Sequence, residues 1–278
     1  MNMNTGTLYI VATPIGNLDD ITQRAIQTLR EVDVIACEDT RHSGRLLANY
    51  GIKNKLISFH QHNENESAEK IIRLLQEGQN VALVSDAGTP LISDPGYPLV
   101  KMAHQFDMTV VPIVGASAII ALLSCSGLPT NEFHFFGFLA SKKSQRIQQL
   151  QKIGNYSGTS IVYESTHRIL KCLADMQEVW GDDRQIAMGR ELTKNFETIK
   201  QGTVAELKEF VESDSNQQRG EFVLAIASEE VVISFDLTTE QKQLATLLAK
   251  ELPPKKAAKI TAEFLKGKSK EIYNFLIS

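Results

Sequence analysis

Three cysteines in 278 residues, Cys37, Cys125 and Cys172, are too few and too scattered for a disulfide framework, and no C-x-x-C pair offers a thiolate zinc site. That usage fits a reducing compartment, and a cytoplasmic protein is expected. No Lys or Arg precedes Arg24, so the basic start of a secretory signal is missing and export is not expected. The longest uncharged stretch, between Asp107 and Glu132, is broken by Pro112, Gly115, Ser117, Gly127 and Pro129, and reads as a strand, a turn and a helix rather than a membrane span. An excess of one charge is lacking too: 29 Lys+Arg against 33 Asp+Glu leave −4, too little for the whole chain to bind nucleic acid electrostatically. With 42% hydrophobic residues the composition is that of a folded globular chain, not a disordered or fibrous one. Missing fingerprints exclude chemistry as well. Neither G-x-G-x-x-G nor G-x-x-x-x-G-K-[ST] occurs, which disfavours NAD and ATP chemistry. No G-x-S-x-G elbow marks a serine hydrolase. His60-Gln61-His62 lacks a third ligand of clear spacing, so no metal site is expected.

What is present is a rhythm. Short apolar runs, Leu8 to Ala12, Val32 to Ala36, Val81 to Ser85 and Thr109 to Val114, alternate with amphipathic stretches. Runs apolar on both faces are what parallel strands covered by helices require. Asp19 or Asp20 is placed to cap a helix whose Ile21, Ala25, Ile26 and Leu29 share one side, and Ser67 with Lys70 to Leu75 marks another. After Pro129 the pattern changes to strands at Thr159 to Tyr163, Gln185 to Met188, Thr198 to Gly202 and Glu221 to Ala227, with helices at Arg168 to Val179 and Val204 to Ser213. The economical reading is an α/β chain in three parts: an N-terminal α/β domain over 1–123, a second α/β domain over 124–233, and a small basic helical module over 234–278. In that module Thr238 or Thr239 caps a helix reaching Glu251, Pro253-Pro254 breaks it, a second helix runs to Lys266, and Ser269 caps a third. Residues 250–270 hold seven Lys and two Glu, a local +5 that leaves −9 elsewhere. The asymmetry suggests contact with a polyanion, although a solvated Lys-rich surface has the same composition.

Polar or small residues follow several of these strands. Thr13-Pro14-Ile15-Gly16-Asn17 is a tight turn entering a helix. Ser85-Asp86-Ala87-Gly88-Thr89-Pro90 extends through Asp94-Pro95-Gly96, and Val114-Gly115-Ala116-Ser117-Ala118 is small enough for close approach. Cys37-Glu38-Asp39-Thr40-Arg41-His42 places polar side chains in succession after a buried strand. Tyr163-Glu164-Ser165-Thr166-His167-Arg168 and Arg190-Glu191-Leu192-Thr193-Lys194 do the same in the second half. Ligands of open α/β sheets bind at carboxyl ends of strands, so a shared cleft is expected. Taken singly, each segment is also explained as an ordinary turn or an exposed loop.

Together these segments resemble the tetrapyrrole-methylase-fold (class III) S-adenosylmethionine methyltransferases, and within them the branch that methylates 16S ribosomal RNA. The resemblance extends over most of the chain, and the basic tail is similar to that branch's carboxy-terminal helical extension. It implies two α/β domains with the cofactor, S-adenosyl-L-methionine, in the cleft between them, in a homodimer. By position it assigns the cofactor to Pro14, Ile15 and Gly16, to Asp86, Ala87 and Pro90, and to Ser117 and Ala118, with Tyr163, Glu221 and Phe222 as further candidates. Tetrapyrrole enzymes carry a more Gly-rich first loop and a Gly-Asp-Pro where this chain has Ser85-Asp86-Ala87, which points toward the RNA branch.

The implied reaction is 2'-O-methylation of a cytidine ribose of 16S rRNA in the small ribosomal subunit, in its decoding region. A ribose hydroxyl is a poor nucleophile at neutral pH, so a base or a cation should stand beside it. The candidates are Glu38, Asp39, Arg41, Glu191 and Lys194, with no single residue picked out as the base. RNA contact is expected from Arg41, His42, His167, Arg168, Lys255, Lys256 and Lys259. Two other readings remain: a tetrapyrrole substrate on the same fold, and a ribosome-assembly factor that uses the pocket only structurally.

Overall fold

The computed structural model describes residues 5–228, 237–265 and 269–277. By internal contacts the chain separates into two units, 1–228 and 229–278. In the first, β1 (Thr7–Val11), β2 (Val34–Cys37), β3 (Leu56–Ser58), β4 (Val81–Val84) and β5 (Thr109–Ile113) form a parallel sheet in the order β3-β2-β4-β1-β5. β2 and β4 are buried along their whole length because both faces are covered, as their unbroken apolar runs foretold. One face packs Leu8, Ala36, Val81 and Leu83 on α3 (Glu64–Gln76) and α4 (Tyr97–Gln105). The other packs Val11, Ile35, Ala82 and Val84 on α1 (Gln23–Glu31) and on Leu47 of α2 (Thr40–Asn49). Edge strand β5 carries Pro112 where no ladder needs its missing N–H.

Sequence and structure differ at some helix starts. Asp19 and Asp20 lie in a 3-10 turn, and α1 is capped by Thr22, whose hydroxyl accepts from the Ala25 N–H. Asp39 opens α2, accepting from the N–H groups of Arg41 and His42, where sequence alone showed only a polar run. The short β3 has too few residues for a legible period.

The second sheet has the order β6-β7-β10-β8-β9, built from β6 (Phe133–Phe138), β7 (Thr159–Ser165), β8 (Gln185–Arg190), β9 (Thr198–Thr203) and β10 (Glu221–Ile226). Only β6 and β7 run parallel; the other pairings are antiparallel. Its outer face packs Val162, Met188, Phe222 and Leu224 on α6 (Lys143–Gly154), α7 (Ile169–Trp180) and α8 (Val204–Ser213). Its inner face packs Ile161, Ala187, Val223 and Ala225 on Ile119, Leu122 and Leu123 of α5 (Ala118–Cys125). The sequence boundary after residue 123 thus falls within a helix that rests on the second sheet.

The smaller unit contains α9 (Thr239–Ala249), α10 (Pro254–Phe264) and α11 (Ser269–Ile277) around Leu237, Ala245, Ala258 and Ile272. Thr238 and Gln241 form a reciprocal cap at the start of α9. Lys255, Lys256 and Lys259 are exposed on α10, opposite buried Ala257, Ala258 and Thr261. Lys266 and the expected 233/234 boundary lie outside the described residues.

Candidate functional site

The carboxyl ends of β1, β4 and β5 are stitched together. Thr13 and Gly88 exchange backbone hydrogen bonds of 2.8 and 3.1 Å, and the Thr89 hydroxyl donates to the Ala116 carbonyl at 3.1 Å. Gly115 lies so close to β1 that a Cβ there would stand 2.9 Å from that of Ala12. Gly88 has φ of +78°, a conformation that suits glycine. The three turns thereby form one rigid wall.

Opposite them, loops of the second sheet form another wall. Lys194 Nζ lies 2.9 Å from both Glu191 Oε1 and Glu221 Oε2, and Glu191 Oε1 also accepts from the Glu221 N–H at 2.9 Å. Partial burial opposes charge on Glu191, but these hydrogen bonds and Lys194 hold its pKa below the usual value. For Lys194 the two carboxylates outweigh desolvation and raise the pKa, so the ammonium is charged at neutral pH. The first turn touches this wall: a Cβ on Gly16 would lie 2.4 Å from Lys194 Cγ and 3.0 Å from the Leu192 carbonyl oxygen.

Between the walls is a cavity of about 540 Å³. Of the sequence candidates, Ile15, Ala87, Ser117, Ala118, Tyr163, His167, Lys194, Glu221 and Phe222 line it. Pro14 and Pro90 are buried behind the turns, and Gly16 and Glu191 support the lining through Lys194. Asp86 accepts from the Asp39 N–H at 3.2 Å, which connects the β4 turn to the start of α2. Glu38, Asp39, Arg41 and His42 stand on that neighbouring strand end and helix, outside the cavity lining. Burial and the nearby Asp86 raise the Glu38 pKa, partly offset by His60. Arg41 pairs with Asp39 at 3.2 Å and holds that carboxyl down at about 2. Arg168 is engaged inward, with Glu164 at 2.7 Å, the Ser165 hydroxyl at 3.2 Å and the Leu139 carbonyl at 3.1 Å.

The site also uses residues that the sequence analysis did not assign to it. Phe138 lines the cavity 5.4 Å from the Tyr163 ring, placed by an irregularity in β6 at Gly137. Asp94 lines it from a loop in which Leu91 and Ser93 hold positive φ of 71° and 73°. Burial, with Glu38 and Asp86 nearby, raises Asp94 to about 6 despite a hydrogen bond from Ser85. Tyr163 is pushed up to about 12 by burial and by the charges of Asp94 and Glu221. Among the described residues no group of three His, Cys, Asp or Glu side chains could hold a metal ion, and no helix is long and apolar enough to cross a membrane.

The fold of this chain is similar to those of solved structures. Cobalt precorrin-4 methyltransferase, a cobalamin biosynthetic enzyme, superposes with a TM-score of 0.57 at 18% identity, over 79% of this chain and 94% of that one. Diphthine synthase superposes at 0.59 with 15% identity, over 80% and 90%. The model of the Tetrapyrrole (Corrin/Porphyrin) Methylases matches residues 7–208, so the fold is of this class. Residues 236–278 match the RsmI C-terminal HTH domain. Ribosomal RNA small subunit methyltransferase I of Haemophilus influenzae is 49% identical, covering 98% of this chain and 96% of its own. The protein of the same name from Pseudomonas aeruginosa is 50% identical, covering 94% and 93%. The chain therefore belongs to the ribosomal RNA small subunit methyltransferase I family of tetrapyrrole-methylase-fold enzymes.

Proposed function

We propose that this protein transfers a methyl group from S-adenosyl-L-methionine to the ribose 2'-hydroxyl of a cytidine in the decoding region of 16S rRNA, with the small ribosomal subunit as substrate. The observation that carries the reading is the pair of unlike walls around one cavity. Its volume lies within the roughly 300 to 1,000 Å³ of small-molecule sites. Ile15, Ala87, Ala118 and Phe138 offer apolar surface for an adenosine, while Pro14, Gly16, Asp86, Pro90, Ser117, Tyr163 and Phe222 shape and support the same pocket. A Cβ on Gly88 would stand 3.3 Å from Ile15, so the glycine keeps this side of the pocket open.

When bound, the cofactor supplies a methyl already activated on a sulfonium. What remains for the chain is alignment of the acceptor and exclusion of water. The charged Lys194 ammonium is placed to hold a phosphate or to stabilise negative charge developing on the ribose oxygen. Glu191 and Glu221 hold Lys194 in position. Glu38 and Asp39 are the other carboxylates assigned to orient the hydroxyl or take its proton, and Arg41 is assigned to a phosphate. His42 and His167, with Lys255, Lys256 and Lys259 of α10, extend the RNA contact. The same reading makes the molecule a cytoplasmic homodimer.

The test is transfer of a labelled methyl from S-adenosyl-L-methionine to small subunits from cells lacking the enzyme, followed by nucleoside analysis. Labelled 2'-O-methylcytidine is expected; unlabelled RNA with intact cofactor binding would reject the reading. For the tail, replacing Lys255, Lys256 and Lys259 together by Ala should weaken binding to the subunit and flatten its salt dependence. An unchanged salt slope would remove α10 from the interface.

A further inference from the structure

The loops at one end of the second sheet are tied into a single rim. The Thr166 hydroxyl donates to the Gly220 carbonyl at 2.6 Å and accepts from the Gly220 N–H at 2.9 Å. Arg190, 6% exposed, donates to the carbonyls of Arg219 at 2.7 Å, Phe196 at 2.9 Å and Asn216 at 2.7 Å. Its guanidinium is thus spent on holding backbone. The loop after β8 is fixed further by Glu197, which accepts from the Thr193 N–H at 2.6 Å, and Glu191 and Thr193 hold φ of 49° and 66°. Positive φ at such residues costs on the order of 1 kcal/mol each and persists where the surroundings enforce it.

What this rigid rim presents to solvent is unusual. Phe196 is 75% exposed, two residues beyond Lys194 of the cavity wall. The Arg219 side chain is exposed on the adjoining loop, and the exposed His167 lines the cavity beside it. An exposed aromatic ring and an exposed guanidinium whose backbones are anchored by one buried arginine form a pair on which single-stranded nucleic acid can stack, because every base has a π-face and every linkage a phosphate. A lone phenyl ring held in water by a rigid loop gains nothing for the fold.

We infer that Phe196 stacks on a base neighbouring the target nucleotide and that Arg219 holds an adjacent phosphate, so that the rim positions a single-stranded RNA segment across the cavity mouth. This rests on the RNA methyltransferase reading above and adds two contact residues to it. Both side chains act through binding, outside the cavity lining.

The test is steady-state methyl transfer to small subunits lacking the modification, with Phe196→Ala, Phe196→Trp, Phe196→Leu and Arg219→Ala. Stacking contributes enough per base that Phe196→Ala should raise KM for the subunit roughly tenfold. kcat and the KM for S-adenosyl-L-methionine should stay within twofold. Phe196→Trp should restore the wild-type KM and Phe196→Leu should not, which separates stacking from apolar packing. Arg219→Ala should raise KM and reduce the salt slope by about one. An unchanged KM for Phe196→Ala, or full rescue by Leu, would overturn the inference while leaving the activity standing. Conversion of Phe196→Ala from dimer to monomer in sedimentation would overturn it in favour of a contact between copies. Absence of any transfer by the wild-type chain would defeat the functional reading itself, and this inference with it.

Discussion

The turns of the parallel sheet and the loops of the mixed sheet face the same cavity with different materials. The turns after β1, β4 and β5 contribute small residues and backbone, held by hydrogen bonds such as those between Thr13 and Gly88. The mixed-sheet loops contribute long charged side chains, Lys194 among them, held by buried Arg190 and by carboxylates. A wall made of backbone is rigid because its groups are already in a ladder. A wall made of side chains keeps its shape only while its supporting contacts survive. Mutations should therefore act locally and strongly on the second wall, and through close packing on the first.

The largest expected effect is on stability. Replacing Arg190 by Ala would leave the carbonyls of Arg219, Phe196 and Asn216 and the Thr198 hydroxyl without the donor they share. Hydrogen bonds from a charged group are worth more than neutral ones, and buried acceptors left empty add a desolvation cost, so a loss of about 3 to 5 kcal/mol is expected. Denaturant melts would measure it, and a loss below 1 kcal/mol would show that the second wall does not depend on this residue. Hydrogen exchange should rise in the loops around 191–198 and 214–220 while the Thr13–Gly88 ladder stays protected.

Next is Lys194→Ala. Removing the ammonium leaves Glu191, behind the lining, and Glu221, in it, without their shared cation. On the proposed role, methyl transfer should fall by about 100-fold, as when a preorganised electrostatic donor is lost. Activity within threefold of wild type would leave the charged wall without a part in the reaction.

A smaller effect links the walls directly. Gly16→Ala places a methyl 2.4 Å from Lys194 Cγ, and should weaken S-adenosyl-L-methionine binding roughly tenfold. In a Lys194→Ala background Cγ is gone, and the penalty should shrink by about 1 kcal/mol in a double-mutant cycle, leaving the contacts with the Thr193 hydroxyl and the Leu192 carbonyl. Strict additivity would mean that the first turn and the Lys194 loop do not communicate.

The two regions also differed in how far their sequence could be read. β2 and β4 were legible because strands buried on both faces must be apolar throughout, whereas Ile15, Ala87, Ser117 and Ala118 were assigned by position from the family resemblance. The family resemblance supplied the order of segments that single turns could not. Phe138 was hidden because it depends on a strand irregularity at Gly137, a property of pairing rather than of local composition. α2 was hidden because its polar first turn, Thr40-Arg41-His42-Ser43, resembles a loop until Asp39 is seen capping it. Arg168 shows the converse limit: residue type suggests a phosphate ligand, while burial of Glu164 draws its guanidinium inward. Charge in a motif does not say which way a long side chain turns.

Asp94 tests the first wall through pH. Its pKa of about 6 in the folded chain stands above the ordinary value of 3.8, mainly because the half-buried carboxyl is desolvated. Between those values the folded state binds more protons than the unfolded state, so this group destabilises the fold progressively as pH rises from about 4 to above 6. Asn at this position keeps the shape and removes the titration. After allowance for solvent screening, Asp94→Asn should therefore stabilise the chain by about 1 kcal/mol at pH 7.5, with the gain vanishing near pH 4. Melts of both proteins across this range would measure the difference. A gain independent of pH would assign the effect to packing in the strained Leu91–Ser93 loop, and a loss at pH 7.5 would show that the carboxylate is held by contacts stronger than its desolvation.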